Sequence, residues 1–266
     1  MTIGIDIVGS TGLGTGTTKT LLGGGNYVLP AWARSIVAVI PIVNIDVPTV
    51  SESVLAKLSV ESEDFNCSPF EVLAAPLTSC LGATVAPFVA KPEKYLMNCP
   101  VNGGDQMQLY GTALVANTAA PVMSCAIVMS SNPPMNPQRF AKMGTLTSTG
   151  TTASTEVAGT LYSFSKAHKI IEVFGAVVPD TVAAGDALAG FFRFWSTEFL
   201  QPTPLKMPFN PVPGGLSTIF STKLDGVSRY PVEVETQPGQ VNIQDYVYLD
   251  LAPAAAGNFV TGMIFE

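Results

Sequence analysis

The chain contains a version of itself. Residues 10–65 align on residues 144–199 without a gap at a constant offset of 134, with 13 identities in 56 positions. They include Thr15-Gly16-Thr17-Thr18 against Thr149-Gly150-Thr151-Thr152, and Ala33, Ile36, Val39, Val43 and Asp46 against Ala167, Ile170, Val173, Val177 and Asp180. Ser62 and Phe65 fall on Ser196 and Phe199. Near the end of each half, Gln108, Tyr110, Ala116, Ala119 and Ala120 face Gln244, Tyr246, Ala252, Ala255 and Ala256 at an offset of 136. Unrelated segments of this composition agree at roughly one position in twelve, so collinear identity at this density marks a tandem duplication of one fold unit. Each unit has the length of an ordinary domain. Any account of one half must therefore serve for the other.

The unit reads as a strand protein. Ser35–Ile45 and Lys169–Val178 are short Val/Ile-rich runs broken by Pro or Gly, the composition of buried strands. Val54–Val60 alternates loosely, and its counterpart Leu188–Trp195 is aromatic and nearly continuous. Gln106–Asn117 and Asn242–Asp250 alternate apolar with polar, as strands with one wet face do. Val122–Met129 and Phe259–Phe265 close the two halves. Turns such as Asn102-Gly103-Gly104-Asp105 and Pro238-Gly239 punctuate these runs. With 24 Gly, 21 Pro and no long amphipathic helix, the expected fold class is all-β, a sandwich or barrel in each half.

Charge is scarce. Only 12% of residues are Asp, Glu, Lys or Arg, about half the ~25% of an ordinary soluble domain, so large surfaces are expected to be buried against neighbours. The 13 basic residues are scattered and the net charge is −7, which excludes a surface built to neutralise phosphates and predicts no direct nucleic-acid contact. Cys67, Cys80, Cys99 and Cys125 all lie in the first half without counterparts in the second. Their spacing suits neither a duplicated disulfide framework nor a zinc site and predicts buried free thiols in a reducing cytoplasm. The stretch Met1–Gly12 has no basic n-region and carries Asp6, so it does not read as a signal peptide. Val72–Ala90 is uncharged over 19 residues, but Pro76, Gly82 and Pro87 predict a buried connection between strands in place of a spanning helix.

Chemistry-bearing motifs fail one by one. Gly12–Thr20 has the glycines of a phosphate-binding loop, yet Thr18 precedes Lys19 where Gly is required, and Ala153 replaces the lysine in the repeat. It is expected to be a Gly/Thr arm. His168 is the only histidine, with Arg34 at its repeat position, and no nucleophile motif accompanies it; a double cupin would need several histidines. Glu61, Glu63 and Asp64 lack a calcium-loop spacing. Phe191, Phe192, Phe194 and Trp195 could stack a sugar, but consecutive aromatics on a strand point both ways and predict core packing. The expectation is a protein that is not an enzyme, with no catalytic, cofactor-binding or metal-ligating residues and no cofactor.

Two tandem all-β units, each opening on a Gly/Thr arm (Thr15–Thr18, Thr149–Thr152) and joined by the Pro- and Thr-rich stretch after Asn132, resemble the double jelly-roll major capsid proteins of tailless icosahedral double-stranded DNA viruses. Corticoviruses, tectiviruses, turreted archaeal viruses and adenoviruses belong to that lineage. The resemblance implies two tandem jelly-roll β-sandwiches: residues 1–135 with an N-terminal arm, a linker over 136–143, and residues 144–266. It also implies a homotrimer forming a pseudo-hexagonal capsomer, with neighbouring capsomers and other capsid proteins as partners. The protein would be made in the host cytoplasm and located in the virion, in a shell that can enclose an internal lipid membrane. Each family unit has eight strands where six or seven are legible here; the missing ones are expected within Phe70–Tyr95 and Leu205–Tyr230. Because Thr15–Thr18 recurs as Thr149–Thr152, the N-terminal arm, residues 1–20, is expected to lie along the outside of its sandwich or reach to a neighbouring subunit, contributing contacts between subunits and not core. A secreted or surface carbohydrate-binding tandem sandwich and a filament or surface-layer subunit are the alternatives.

Overall fold

The structure, a computed structural model, describes residues 2–14, 16–45, 52–74, 77–79, 88–89, 91–116, 120–149, 155–164, 168–179, 187–200, 205–208, 212–213, 227–249 and 257–266. Among these residues there is no α-helix, only a short 3-10 turn at Leu22–Gly24. The chain is all-β.

The first half contributes β1 (Ile3–Gly12), β2 (Thr20–Leu21), β3 (Tyr27–Val28), β4 (Ser35–Ile45), β5 (Glu52–Val54), β6 (Ala56–Glu61), β7 (Glu71–Leu73), β8 (Leu77–Ser79), β9 (Phe88–Val89), β10 (Tyr95–Pro100), β11 (Gln106–Ala113) and β12 (Pro121–Ser130). The second contributes β13 (Phe140–Met143), β14 (Thr147–Thr149), β15 (Thr155–Phe164), β16 (His168–Pro179), β17 (Ala187–Trp195), β18 (Leu205–Pro208), β19 (Val212–Pro213), β20 (Ser228–Thr236), β21 (Gly239–Leu249) and β22 (Gly257–Phe265). In the first half one sheet runs β1-β12-β4-β10 and the other β2-β11-β6-β7, with β3 also on β11; β5-β8-β9 form a small third sheet. In the second half the orders are β13-β22-β16-β20, with β14 continuing on β22, and β15-β21-β17-β18, with β19 also on β17. Exchanging β1, β12, β4 and β10 for β13, β22, β16 and β20 turns one sheet into the other, and the second pair of sheets matches in the same way.

The duplication is thus visible in pairing. Val39 faces Ile127 across β4 and β12, and Val173 faces Met263 across β16 and β22. Tyr95 pairs with Val39, and Tyr230 pairs with Val173. Each of these tyrosines then donates its hydroxyl to the end of a short strand of the facing sheet, Tyr95 to the Leu73 carbonyl at 2.8 Å and Tyr230 to the Pro208 carbonyl at 2.7 Å. One expectation shifts. Tyr110 stands opposite Ser59 while Gln244 stands opposite Arg193, so the offset of 134 persists through β21. The extra two residues enter between β21 and β22, later than the Gln108/Gln244 identity suggests.

Two apolar clusters account for the burial. The first sandwich closes over Ile36, Val39, Leu58, Val60, Leu109, Met123 and Ile127, all at most 1% exposed. The second closes over Val173, Phe192, Phe194, Phe259 and Met263, none exposed. Alternation on β16 and β22 divides their side chains between the two clusters. Val173, Phe259 and Met263 enter the second, whereas Phe174, Ala176, Val260 and Ile264 enter the first. The central pair β16 and β22 is therefore apolar on both faces, which is why Phe259–Phe265 reads as an apolar run broken only by Thr261 and Gly262.

Two expectations about the connections need correction. The N-terminal arm is not outside the sheet over its first part: β1 pairs with β12 from Ile3↔Ser130 to Gly12↔Val122. Val8 and Leu13 are buried in the core, so the segment has an inward face. Asp6 does not break it, because its carboxylate accepts the Tyr27 hydroxyl at 2.7 Å. The linker 136–143 is also shorter than expected, since Phe140–Met143 is β13 and pairs with β22 from Phe140↔Phe265 to Met143↔Gly262. The Pro-containing residues 131–139 carry no strand, as the missing proline donor requires. Of the strands missing from the sequence reading, β7 to β9, β18 and β19 lie in the two windows named for them; β10 and β20 only begin there, at Tyr95 and Ser228, and β1, β13 and β15 lie outside both. Within Val72–Ala90 the described residues are the end of β7, Ala74, β8 and β9, while residues 75–76, 80–87 and 90 lie outside the described residues. Among the described residues no helix is long and apolar enough to cross a membrane.

Candidate assembly surface

The halves are joined by a built interface. β13 runs beside β7, with a parallel bridge between Phe70 and Ala141. The Ala141 amide donates to the Pro69 carbonyl at 3.0 Å, and the Arg139 amide to the Met97 carbonyl at 2.8 Å. Arg229 on β20 anchors the far side. Its Nε donates to Glu172 at 2.5 Å, and its Nη1 to Glu93 at 3.0 Å and to the Lys94 carbonyl at 2.8 Å. The guanidinium lies 4.5 Å from the centroid of the Tyr95 ring, which meets Phe174 edge-on at 5.6 Å. Burial works against the Arg229 charge, but the hydrogen bond and charge of Glu172 more than offset it and raise the guanidinium pKa above its ordinary value. Complete burial likewise holds the Tyr95 phenol well above the usual tyrosine range. A cation with two carboxylates and an aromatic face is a satisfied polar cluster inside an apolar seam.

A second apolar feature is exposed. On edge strand β1, Ile3, Ile5 and Ile7 are 58%, 66% and 64% exposed. Ile5 pairs with Val128 and Ile7 with Ala126, which in turn pair with Ala38 and Ile40. The outward face of β1-β12-β4 is apolar across three strands, but only its β1 row is bare, since Val128, Ala126 and Ala38 are 8%, 7% and 0% exposed. An edge strand that also presents an apolar row is a site for pairing with another chain. The alternation Ile3-x-Ile5-x-Ile7 is a period-2 signal that a sequence reading of residues 1–20 as an arm passes over.

The residues flagged for chemistry have structural partners. Lys19 and Glu61 come together at 2.6 Å, with the ammonium 3.9 Å from the centroid of the Tyr110 ring, so the glycine-rich run and the acidic cluster meet in an exposed ion pair. Asp64 accepts the Gln106 amide at 2.7 Å. His168 places Nδ1 at 3.3 Å from the Glu266 carbonyl and packs edge-on against Phe265 at 4.9 Å. Phe192 and Phe194 are unexposed and meet edge-on at 5.1 Å within the second core, so neither is available to stack a sugar; the side chains of Phe191 and Trp195 lie outside those described. Cys67, Cys99 and Cys125 are free and buried, and Cys80 lies outside the described residues. Burial pushes these three thiols up to about 12, with the charge of Glu61 adding to the effect at Cys67 and that of Cys67 at Cys99.

No family model matches the chain, and no curated protein matches it. Among solved structures it has a likeness to the N-terminal CBM22-1-CBM22-2 tandem domain of Xyn10C from Paenibacillus barcinonensis, at 14% identity over 97% of this chain and 96% of that one, with a TM-score of 0.23. A likeness at that score carries no argument about fold or ligand.

Proposed function

We propose that this chain is a structural subunit that assembles through its β-sheet faces into an icosahedral viral shell, as a double jelly-roll major capsid protein. The observation that carries the reading is the strand order found twice. Numbering the eight principal strands of each half in sequence, with β2 and β3 as one strand and β13 and β14 as another, the sheets run 1-8-3-6 and 2-7-4-5. That is the order of a jelly roll, an architecture shared by viral capsid domains, lectins and cupins. Fold alone does not choose among these. The choice of capsid rests on the fusion of two such units through an apolar seam, the sparse charge, and the exposed isoleucine row on β1. Three copies would place six sandwiches in a pseudo-hexagonal capsomer, and capsomers would tile a virion shell that can enclose a lipid membrane. Electron microscopy of the purified protein tests this: six-lobed trimers or closed shells are expected. Dispersed monomers that bind a polysaccharide would refute it in favour of a carbohydrate-binding tandem sandwich, and open fibres or sheets in favour of a filament or surface-layer subunit.

A further inference from the structure

Asn102 is the only asparagine in the chain that is followed by glycine. The pair opens the turn between β10 and β11, where the Asp105 amide donates to the Asn102 carbonyl at 3.1 Å and Gly104 takes a φ of 96°. The Asn102 amide donates to the Asp105 carboxylate at 2.7 Å, and the Gly104 amide to the Leu29 carbonyl at 3.0 Å. Among the described residues, neither the exposed side-chain carboxamide of Asn102 nor the backbone N–H of Gly103 has a hydrogen-bond partner. The two unengaged groups are neighbours in the chain. Residue 103 must be glycine, because an added Cβ would lie 2.2 Å from the Ala31 carbonyl oxygen. No side chain therefore shields its nitrogen.

We propose that Asn102-Gly103 is a site of spontaneous deamidation and isoaspartate formation, which loosens this end of the first sandwich as the protein ages. Asparagine is among the chemically labile residues. The Gly103 nitrogen gives up its proton and bonds to Cγ of Asn102; the Cγ–Nδ2 bond breaks, and Nδ2 leaves as ammonia with that proton. Water then opens the cyclic imide at either carbonyl, giving aspartate or isoaspartate, with no change of oxidation state. Isoaspartate carries the chain through the former side chain, so the carbonyl that accepts the Asp105 amide becomes a pendant carboxylate. Its charge stands beside that of Asp105. The damage reaches the core, since the Leu29 amide donates to the Asp105 carbonyl at 2.9 Å and Leu29 is 1% exposed. The equivalent turn of the second half, between β20 and β21, holds Pro238-Gly239 and has no asparagine to react. None of this depends on how the chain assembles.

Peptide mapping by mass spectrometry, on the full chain stored folded at mildly alkaline pH, tests the site. Asn102 should convert to a mixture of aspartate and isoaspartate ahead of every other asparagine, at a rate that rises with pH. The stored protein should unfold at a lower urea midpoint than fresh protein. Stored Asn102→Gln should keep its fresh midpoint, because the longer side chain closes a ring far more slowly. An Asn102 that stays intact in the folded chain while the same residue converts in the urea-unfolded chain would overturn the proposal. So would conversion that leaves the urea midpoint unchanged.

Discussion

Gly262 and Phe174 offer a test in which the sign of the effect is informative. A methyl group placed on Gly262 would lie 2.3, 2.6 and 2.9 Å from Cζ, Cε2 and Cε1 of the Phe174 ring. Ordinary carbon–carbon contact is about 3.5–4.0 Å, so the ring would have to withdraw by roughly 1.2–1.7 Å. It has nowhere to go, since Phe174 is unexposed and its other side meets Tyr95 at 5.6 Å. Gly262→Ala should therefore cost about 1–3 kcal/mol as an overpacking change. Without the ring the same substitution would stabilise the protein by about 0.4–1 kcal/mol, because alanine restricts the unfolded chain. Phe174→Ala alone should cost about 3–5 kcal/mol. In the double variant the new methyl group occupies space the ring has left, so its penalty should vanish and the two changes should couple by about 1–3 kcal/mol. Urea unfolding followed by circular dichroism measures all four corners of the cycle. Gly262→Ala as stable as wild type, or a double variant whose cost is the simple sum, would refute the packing of Phe174 over Gly262 and with it the seam.

Two further outcomes follow from burial and pairing. The thiols of Cys67, Cys99 and Cys125 resist ionisation to about 12 in the native state against an ordinary 9.0, so the unfolded chain releases their protons first; stability should fall as pH climbs from 9 toward 12, a loss absent below 9. Thermal melts should show that slope flattened in a Cys67→Ala/Cys99→Ala/Cys125→Ala variant, and an unchanged slope would contradict the burial. Deleting residues 1–12 should abolish soluble folded protein, because it strips the β12 edge of its ladder and removes Val8 from the core; a truncated chain with wild-type circular dichroism would restore the arm to the role its composition suggests.

The central strands were the legible part. β4 and β16 announce themselves because both faces of an apolar run are constrained, so Ile36, Val39 and Val43 recur as Ile170, Val173 and Val177. The short strands β7 to β9, β18 and β19, two to four residues each, were located but not delineated, since so few residues carry no period. Tyr95 and Tyr230 make the same hydrogen bond in both halves at an offset of 135, a register that falls between the two offsets visible in the alignment. β1 was mistaken for an arm because its outward residues are apolar and its inward ones include Asp6, the reverse of a solvated edge strand. The seam was hidden for a different reason: Glu93, Glu172 and Arg229 are far apart in sequence, and nothing local marks them as partners.

The two-faced sheet also governs the order in which the chain can mature during synthesis. Val260 and Ile264, on β22, belong to the same cluster as Ile36 and Val39 in the first sandwich. An N-terminal domain ordinarily folds while the rest is still being made. Here the first sandwich emerges from the ribosome with an open flank and stays incomplete until β22 is released. The nascent chain must wait with apolar surface unshielded, and a ribosome stalled anywhere in the second half leaves the first unfinished.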